Sequence, residues 1–277
     1  MRLVWQIAAV MVVALLGNQG VGLAQGDPWI TLAVGVATAV LAVVVYRWVV
    51  RLTERRPVTE LSGRGAAAGL GGGLLLGVAL FGAVIANLAF LGFYAVHGLG
   101  SVTGAVGLFG FMAAAAVTEE LLFRGVLFRI VEGWTGTWIA LVLTSALFGA
   151  SHLFNPNAGL WGAVAIAIEA GGMLTAAFIA TRTLWLPIGL HFGWNLAAGA
   201  LFSTEVSGND TPQGLLDATM SGPAILTGGD FGPEGSPYSL LFCLLVTAVL
   251  LWVARRRGHL VPRRRADRVG DVATLRR

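Results

Sequence analysis

The stretch AVTEELLFRGVLFRI, which begins at Ala116, places two carboxylates and two arginines inside an otherwise apolar part of the chain. No charged residue occurs over 102–116. A carboxylate at the centre of a transmembrane helix costs about 2.5–3.5 kcal/mol on insertion scales, so it must face protein or a wet cavity. Glu119, Glu120 and Arg124 are therefore candidates for chemistry within the membrane.

Two other short stretches repeat the four-residue spacing of Glu120 and Arg124. Phe148 and His152 in FGASH lie four residues apart, and so do His191 and Asn195 in HFGWN. Residues four apart share one face of a helix. Each of three helices therefore offers one polar stripe, and in a helical bundle the three stripes can meet at a single site.

These residue types suit the attack of water on a carbonyl group. If the arginine one turn later holds Glu120 as an ion pair, then Glu119, about 100° around the helix, is left free. A free carboxylate in a low-dielectric pocket can take a proton from water, and His152 can share or orient that water. The imidazole of His191 and the amide of Asn195 are both donors that can stabilise an oxyanion.

A purely structural interpretation of the same residues stays open. An intramembrane histidine often serves only as a hydrogen-bonded contact between helices, which is the role expected for His97. Glutamate–arginine pairs also hold helices together, and transporters place acids near the midplane as proton relays. Glu169 is undecided between helix packing and support of the site. For the four-residue set of Glu119, His152, His191 and Asn195, a functional site is favoured.

The elements that must position these residues are membrane helices. Of the 277 residues, 56% are apolar and only 12% are charged, and the mean hydropathy is +0.79. Soluble domains have roughly a quarter charged residues. Since one bilayer crossing needs about 20 apolar residues, the sequence predicts an all-α, polytopic membrane helix bundle with about eight transmembrane helices. The predicted spans are 3–20, 28–46, 66–96, 103–124, 136–153, 160–181, 184–202 and 238–254.

Charge predicts the topology. All 18 basic residues are arginines, which cluster after the second span and after the last, whereas the predicted outer loops contain acids and no arginine. By the positive-inside rule both termini are cytoplasmic, and we expect an integral protein of a bacterial cell membrane with no nucleic-acid partner. The first span can also be interpreted as a cleaved signal peptide ending near LAQGD. A retained helix is preferred because an even number of spans leaves both termini on one side.

The chain divides into four predicted segments. The glycine cluster GLGGGLLLG at 69–77 predicts a seam of close helix packing, and the lone Cys243 predicts a packing role. The outer loop is rich in Gly, Pro, Ser and Asp, so we expect turns there. The segments are N-terminal transmembrane helices with a cytoplasmic basic loop (1–102), a core with the polar motifs (103–202), an extracytoplasmic loop (203–237), and a last helix with a basic cytoplasmic tail (238–277).

Three motifs in order carry a resemblance to a known family. EELLFRG starting at Glu119, FGASH ending at His152 and HFGWN ending at Asn195 resemble the EExxxR, FxxxH and HxxxN signatures of the CPBP family. That family includes the CAAX prenyl endoproteases of the Rce type and the Abi, or bacteriocin-immunity-like, membrane proteins. The resemblance covers roughly 103–200 and implies an intramembrane endopeptidase that cleaves a membrane-associated peptide or protein, prenylated or not.

The resemblance also implies roles for individual residues. The first glutamate and the FxxxH histidine activate water, and the HxxxN pair forms the oxyanion hole, which gives the catalytic set Glu119, His152, His191 and Asn195. Supporting positions fall to Glu120, Arg124 and Phe148. The family has been described both as metal-dependent and as metal-independent. If the protein does use zinc, the candidate ligands are Glu119, His152 and His191. These residues come from three helices and include no HExxH motif, so their spacing does not support a zinc site, and no obligatory metal is expected.

Two other functions stay open. A rhomboid-like serine protease would use Ser151 as nucleophile and His191 as base, but its GxSG motif needs glycine where His152 stands. A non-catalytic transporter or an immunity-type scaffold is the second alternative.

On straight helices His191 would lie nearer the cytoplasmic face than Glu119. The sequence therefore predicts tilted helices or a link around EGWTGT that dips into the membrane.

Overall fold

The computed structural model describes residues 1–263, so the predicted basic tail over 264–277 lies outside the described residues. The described part is a bundle of long helices with a small two-stranded sheet whose strands are far apart in the sequence. The main elements are α1 (Arg2–Ala24), α2 (Pro28–Glu54), α3 (Ala66–Phe90), β1 (Tyr94–Leu99), α4 (Val102–Thr135), α5 (Thr137–Phe154), α6 (Leu160–Thr181), α7 (Trp185–Asn195), β2 (Leu216–Met220) and α8 (Pro237–Arg256).

Each predicted span corresponds to one of the eight helices. Within residues 1–263, seven of them are long and apolar enough to cross a membrane, namely α1 to α6 and α8. The shorter helix α7 continues as a π-helix over Leu196–Leu201. The prediction of an all-α, polytopic helix bundle is confirmed, although two short strands accompany the helices.

At two of the predicted span ends, glycines explain why the helix stops at a different residue. The third span ends at Phe90 rather than at 96, because Gly92 adopts a left-handed φ of 78° and the amide of Phe93 bonds back to the carbonyl of Leu88, as in a common helix stop. The fourth helix passes its predicted end at 124 and stops only before Gly136, whose φ is 84°.

The two strands correct the expected character of the outer loop. β1 pairs antiparallel with β2, with Tyr94 opposite Met220. The segment 203–237 thus contains a strand and several buried side chains besides its turns. His97 lies on β1, where its Nε2 is 2.9 Å from the hydroxyl of Thr219. The expected role of His97 in a contact between helices is therefore wrong, because the chain has already left α3 at that point.

The predicted glycine seam joins α3 to α7. A Cβ atom at Gly73 would lie 2.4 Å from the carbonyl oxygen of Leu186, and one at Gly77 would lie 2.4 Å from that of Leu190. Glycines of α7 face α3 in the same way, since a Cβ atom at Gly193 would lie 2.3 Å from a backbone oxygen of α3. Only glycine allows two backbones to come this close. The seam fixes the helix that carries His191 and Asn195.

Three helices contain π-helical stretches next to polar residues. They cover Leu121–Phe128 in α4, Ala167–Gly172 in α6 and the continuation of α7. A π-helix has i→i+5 hydrogen bonds and is rare, often occurring at functional sites. These stretches were not among the sequence predictions.

Candidate active site

The buried ion pair predicted between Glu120 and Arg124 is present. The guanidinium Nη1 of Arg124 donates to Oε1 of Glu120 at 2.6 Å. The side chain of Glu120 is 0% exposed and that of Arg124 is 1% exposed. Its other nitrogens donate to the hydroxyl of Thr175 and to the carbonyl oxygens of Ala170 and Gly171 in the π-helical stretch of α6. Arg124 therefore ties α4 to α6 and leaves Glu120 with no role as a base.

The ring of His191 lies between the two neighbouring glutamates. Its Nδ1 is 3.0 Å from Oε1 of Glu120, and its Nε2 is 4.0 Å from Oε2 of Glu119. Because a carboxylate paired with arginine can only accept, Nδ1 of His191 carries a proton. The Nε2 atom is consequently directed toward Glu119.

His152 has a defined tautomer as well. Its Nδ1 is 2.8 Å from the carbonyl oxygen of Phe148, and a carbonyl can only accept, so Nδ1 carries the proton and Nε2 keeps a free lone pair. The ring of Phe148 packs against both histidines, with centroid distances of 4.8 Å to His152 and 6.1 Å to His191. Phe148 is buried and also lies under the guanidinium of Arg124, 4.6 Å from its central carbon. It therefore acts as a wall of the site.

Glu119 differs sharply from its neighbour. Its side chain is 32% exposed, whereas that of Glu120 is fully buried. Its Oε2 atom makes no hydrogen bond to any residue in the described range, as is also true of Oε2 of Glu120, and lies 4.0 Å from Nε2 of His191. In the structure, Arg124 thus pairs with Glu120 and not with Glu119.

The four predicted catalytic side chains line one cavity of about 490 Å³. The cavity lies among α1, α2, α4, α5, α7 and the start of the outer loop. Its polar lining consists of Asn18, Thr38, Thr118, Glu119, Ser151, His152, Asn155, His191, Asn195, Ser207 and Asn209. The structure thus brings together residues that are far apart in the sequence and that come from three helices.

The length of α4 explains why His191 can reach the glutamates. α4 has 34 residues, which corresponds to about 50 Å at 1.5 Å per residue and exceeds a hydrocarbon core of about 30 Å. Its end is tied to the end of α6 through Glu132 and Arg182, whose side chains are 2.5 Å apart. The helical segment continues through the EGWTGT region as far as Thr135.

The side chains in the described range do not form a metal-ligand set. No group of three or more His, Cys, Asp and Glu residues within 1–263 has a metal-binding arrangement, and Nε2 of His191 is 4.0 Å from Glu119 without a shared centre. An unprotonated imidazole nitrogen is chemically suited to zinc. As they stand, however, Glu119, His152 and His191 do not fit a zinc ion.

Two glutamates that the sequence analysis left out or undecided lie beside the site. Glu234, in the outer loop, accepts hydrogen bonds from the indole of Trp194 and from the amide and hydroxyl of Ser207. Burial raises the pKa of Glu234, although the bonds from Ser207 and Trp194 act in the opposite direction. Glu169 is buried on α6. The GPEGSPY stretch is typical of turns, so no sequence signal marked Glu234.

The fold and the site together define a polytopic membrane protein with a carboxylate, two imidazoles and an amide around a cavity inside its helical bundle. Residues 100–197 match the family model described as type II CAAX prenyl endopeptidase Rce1-like, a protease family. The match includes all three motifs and supports the predicted resemblance to this family. No curated protein and no solved structure matches the chain.

Proposed function

We propose that this protein is an intramembrane endopeptidase that hydrolyses a peptide bond of a membrane-associated substrate with water activated by Glu119 and His152. The observation that carries the proposal is the single cavity lined by Glu119, His152, His191 and Asn195, in a segment that matches a protease family. The partners are a membrane peptide or protein and the surrounding lipid, and both termini lie in the cytoplasm.

The first step is general-base catalysis. A water molecule in the cavity gives one proton to the free carboxylate of Glu119, and its remaining O–H donates a hydrogen bond to the lone pair on Nε2 of His152. The water oxygen adds to the carbonyl carbon of the substrate, whose oxygen takes the negative charge. The polarity of the site suits this step, because Arg124 pairs with Glu120 rather than with Glu119, and Oε2 of Glu119 makes no hydrogen bond within the described range.

The second pair of residues stabilises the oxyanion. In its doubly protonated form, the ring of His191 donates from Nδ1 to Glu120 and keeps the Nε2 proton for the oxyanion, and the amide of Asn195 supplies a second donor. When the tetrahedral intermediate collapses, the carbon–nitrogen bond breaks and Glu119 returns its proton to the leaving amine. One water is consumed, and one carboxylic acid and one amine are released.

The contacts of Ser151 count against the serine-protease alternative. Its hydroxyl donates to the carbonyl oxygen of Phe148 at 2.7 Å and lies 3.4 Å from Nδ1 of His152. The ring nitrogens of His191, the base this alternative requires, face the two glutamates instead. A transporter or an immunity-type scaffold would leave peptides intact, so a cleavage assay separates it from the protease.

The test is incubation of the purified protein, in detergent or liposomes, with matched prenylated and unprenylated fluorogenic peptides. Glu119→Gln removes the base and is expected to lower kcat by about 10²–10⁴-fold. The controls are Ser151→Ala and Asp217→Asn, a change of an exposed carboxylate on β2, and both are expected to retain activity. Cleavage by folded Glu119→Gln at the wild-type rate would refute the proposal, and intact peptides with wild-type protein would favour the transporter or scaffold.

A further inference from the structure

A second, much smaller cavity lies behind the candidate active site. Its volume is about 20 Å³, and since a single water needs about 10–15 Å³ of such space, it can hold one. Four residues line both this cavity and the large one, and so form the wall between them: His152, His191, Asn195 and Ser207. Three of these are the side chains placed around the reacting water and the oxyanion.

Glu169 lines this second cavity with a buried carboxyl group that lacks a hydrogen-bond partner in the described range. It is only 1% exposed, and neither of its carboxyl oxygens makes a hydrogen bond to a residue within 1–263. An unpartnered polar group buried in this way strongly destabilises a fold unless water or another donor satisfies it. The π-helical stretch of α6 places this side chain on the cavity wall.

The remaining lining is polar on one side and apolar on the other. Glu234 and the indole of Trp194, which are hydrogen-bonded to each other at 2.9 Å, supply further polar groups. Met173 and Cys243, both buried, belong to the apolar part of the lining. A cavity of this size with several polar partners is one that binds water, whereas empty cavities are apolar.

We propose that this cavity is a hydration site, held by Glu169, that keeps the water needed by the reaction next to the catalytic side chains. The role of this water in the reaction rests on the proposed hydrolytic function, whereas the existence of the hydration site does not. A peptide bound in the 490 Å³ cavity displaces water from the side of the site that it enters. Water held behind His152, His191 and Asn195 is not displaced, and it reaches the carbonyl carbon through that wall. Glu169 is thus a positioning residue that acts through water.

The direct test is hydroxyl-radical footprinting of the full-length protein in detergent, with oxidation at single residues measured by mass spectrometry. Met173 and Cys243 are 2% and 0% exposed, so radicals reach them only from water bound beside them. We expect oxidation of Met173 in the wild type, a decrease of about fivefold or more in Glu169→Leu, and recovery in Glu169→Gln, whose amide still binds water. Ile168→Leu, on the outward side of the same helix, is the control.

The wild-type measurement is decisive even if Glu169→Leu fails to fold. If neither Met173 nor Cys243 is oxidised in folded wild-type protein, the hydration site does not exist. Equal oxidation of Met173 in the wild type and in folded Glu169→Leu would also overturn the inference, because the carboxyl would not hold the water. Buried Phe128, which lines neither cavity, reports any general opening of the fold.

Kinetics separate this inference from the proposed function. If Glu169 positions water, Glu169→Leu lowers kcat by about tenfold with little change in KM, since substrate binding is intact, and Glu169→Gln restores kcat. Absence of peptide hydrolysis in the wild type, together with oxidised Met173, would refute the proposed function while the hydration site stands. Normal kcat in Glu169→Leu would refute the positioning role of Glu169.

Discussion

Replacing Arg124 with leucine is expected to destabilise the protein severely. The guanidinium is 1% exposed and pairs at 2.6 Å with a carboxylate that is fully buried. After Arg124→Leu, Glu120 would keep only the imidazole of His191 as a polar partner in the described range. Removing one member of a buried ion pair costs about 3–5 kcal/mol because the other charge is left without compensation.

The double variant Glu120→Gln/Arg124→Leu tests that reason. With a neutral amide in place of the carboxylate, no buried charge is left over, so the double variant is expected to be more stable than Arg124→Leu alone by about 1–3 kcal/mol. Arg64 is exposed and serves as the control. Arg64→Leu is expected to change stability by less than about 0.5 kcal/mol.

The assay is reversible unfolding in mixed micelles, with the free energy of unfolding measured for all four members of the double-mutant cycle. A stability of the double variant equal to the sum of the two single losses would contradict the reasoning, because additivity means that the two groups do not interact. A loss of unfolding free energy below about 1 kcal/mol in Arg124→Leu would also contradict it, because exposed ion pairs contribute that little.

Three further predictions concern the seam, the metal and pH. Gly77→Val puts a side chain where a Cβ atom would already be 2.4 Å from a backbone oxygen of α7, so we expect a stability loss of about 1–3 kcal/mol and lost peptidase activity; Gly72→Ala, which faces open space, should retain both. Activity is expected to survive exhaustive chelation in metal-free detergent, and loss restored by zinc alone would refute this. Burial would raise the pKa of Glu60, but hydrogen bonds led by that from Arg56 outweigh it and lower this pKa. The carboxylate therefore stabilises the fold above an unfolded-state pKa of about 4.3, and this contribution is lost as pH falls below it. Glu60→Gln should flatten the pH dependence of unfolding in that window, whereas Asp230→Asn, at an exposed site, should leave it unchanged.

The helices and the central contacts of the site were predictable because their signals are local. Apolar length alone marks each crossing, and the cost of a buried carboxylate marks Glu119 and Glu120. The four-residue spacing then identifies which one pairs with Arg124. The ion pair and the free glutamate both follow from these rules and agree with the contacts in the structure.

The features that were missed depend on contacts between distant segments. β1 pairs with a strand in the outer loop, and the composition of neither segment indicates a partner. Glu234 is surrounded by glycine, proline and serine, so its burial beside Trp194 arises only from tertiary packing. The π-helical stretches have no sequence signature, and it is one of these that places Glu169 beside the second cavity.

The anchoring of the outer loop limits where reporters can be attached to this protein. Ser207 is fixed by Glu234 on one side, and its carbonyl accepts a hydrogen bond from Asn155 at 2.7 Å on the other. A fluorophore or epitope tag inserted there would dislodge a wall of both cavities. The exposed bend over 221–225 is the better attachment point, because labels placed on it leave Ser207 and its anchors in position.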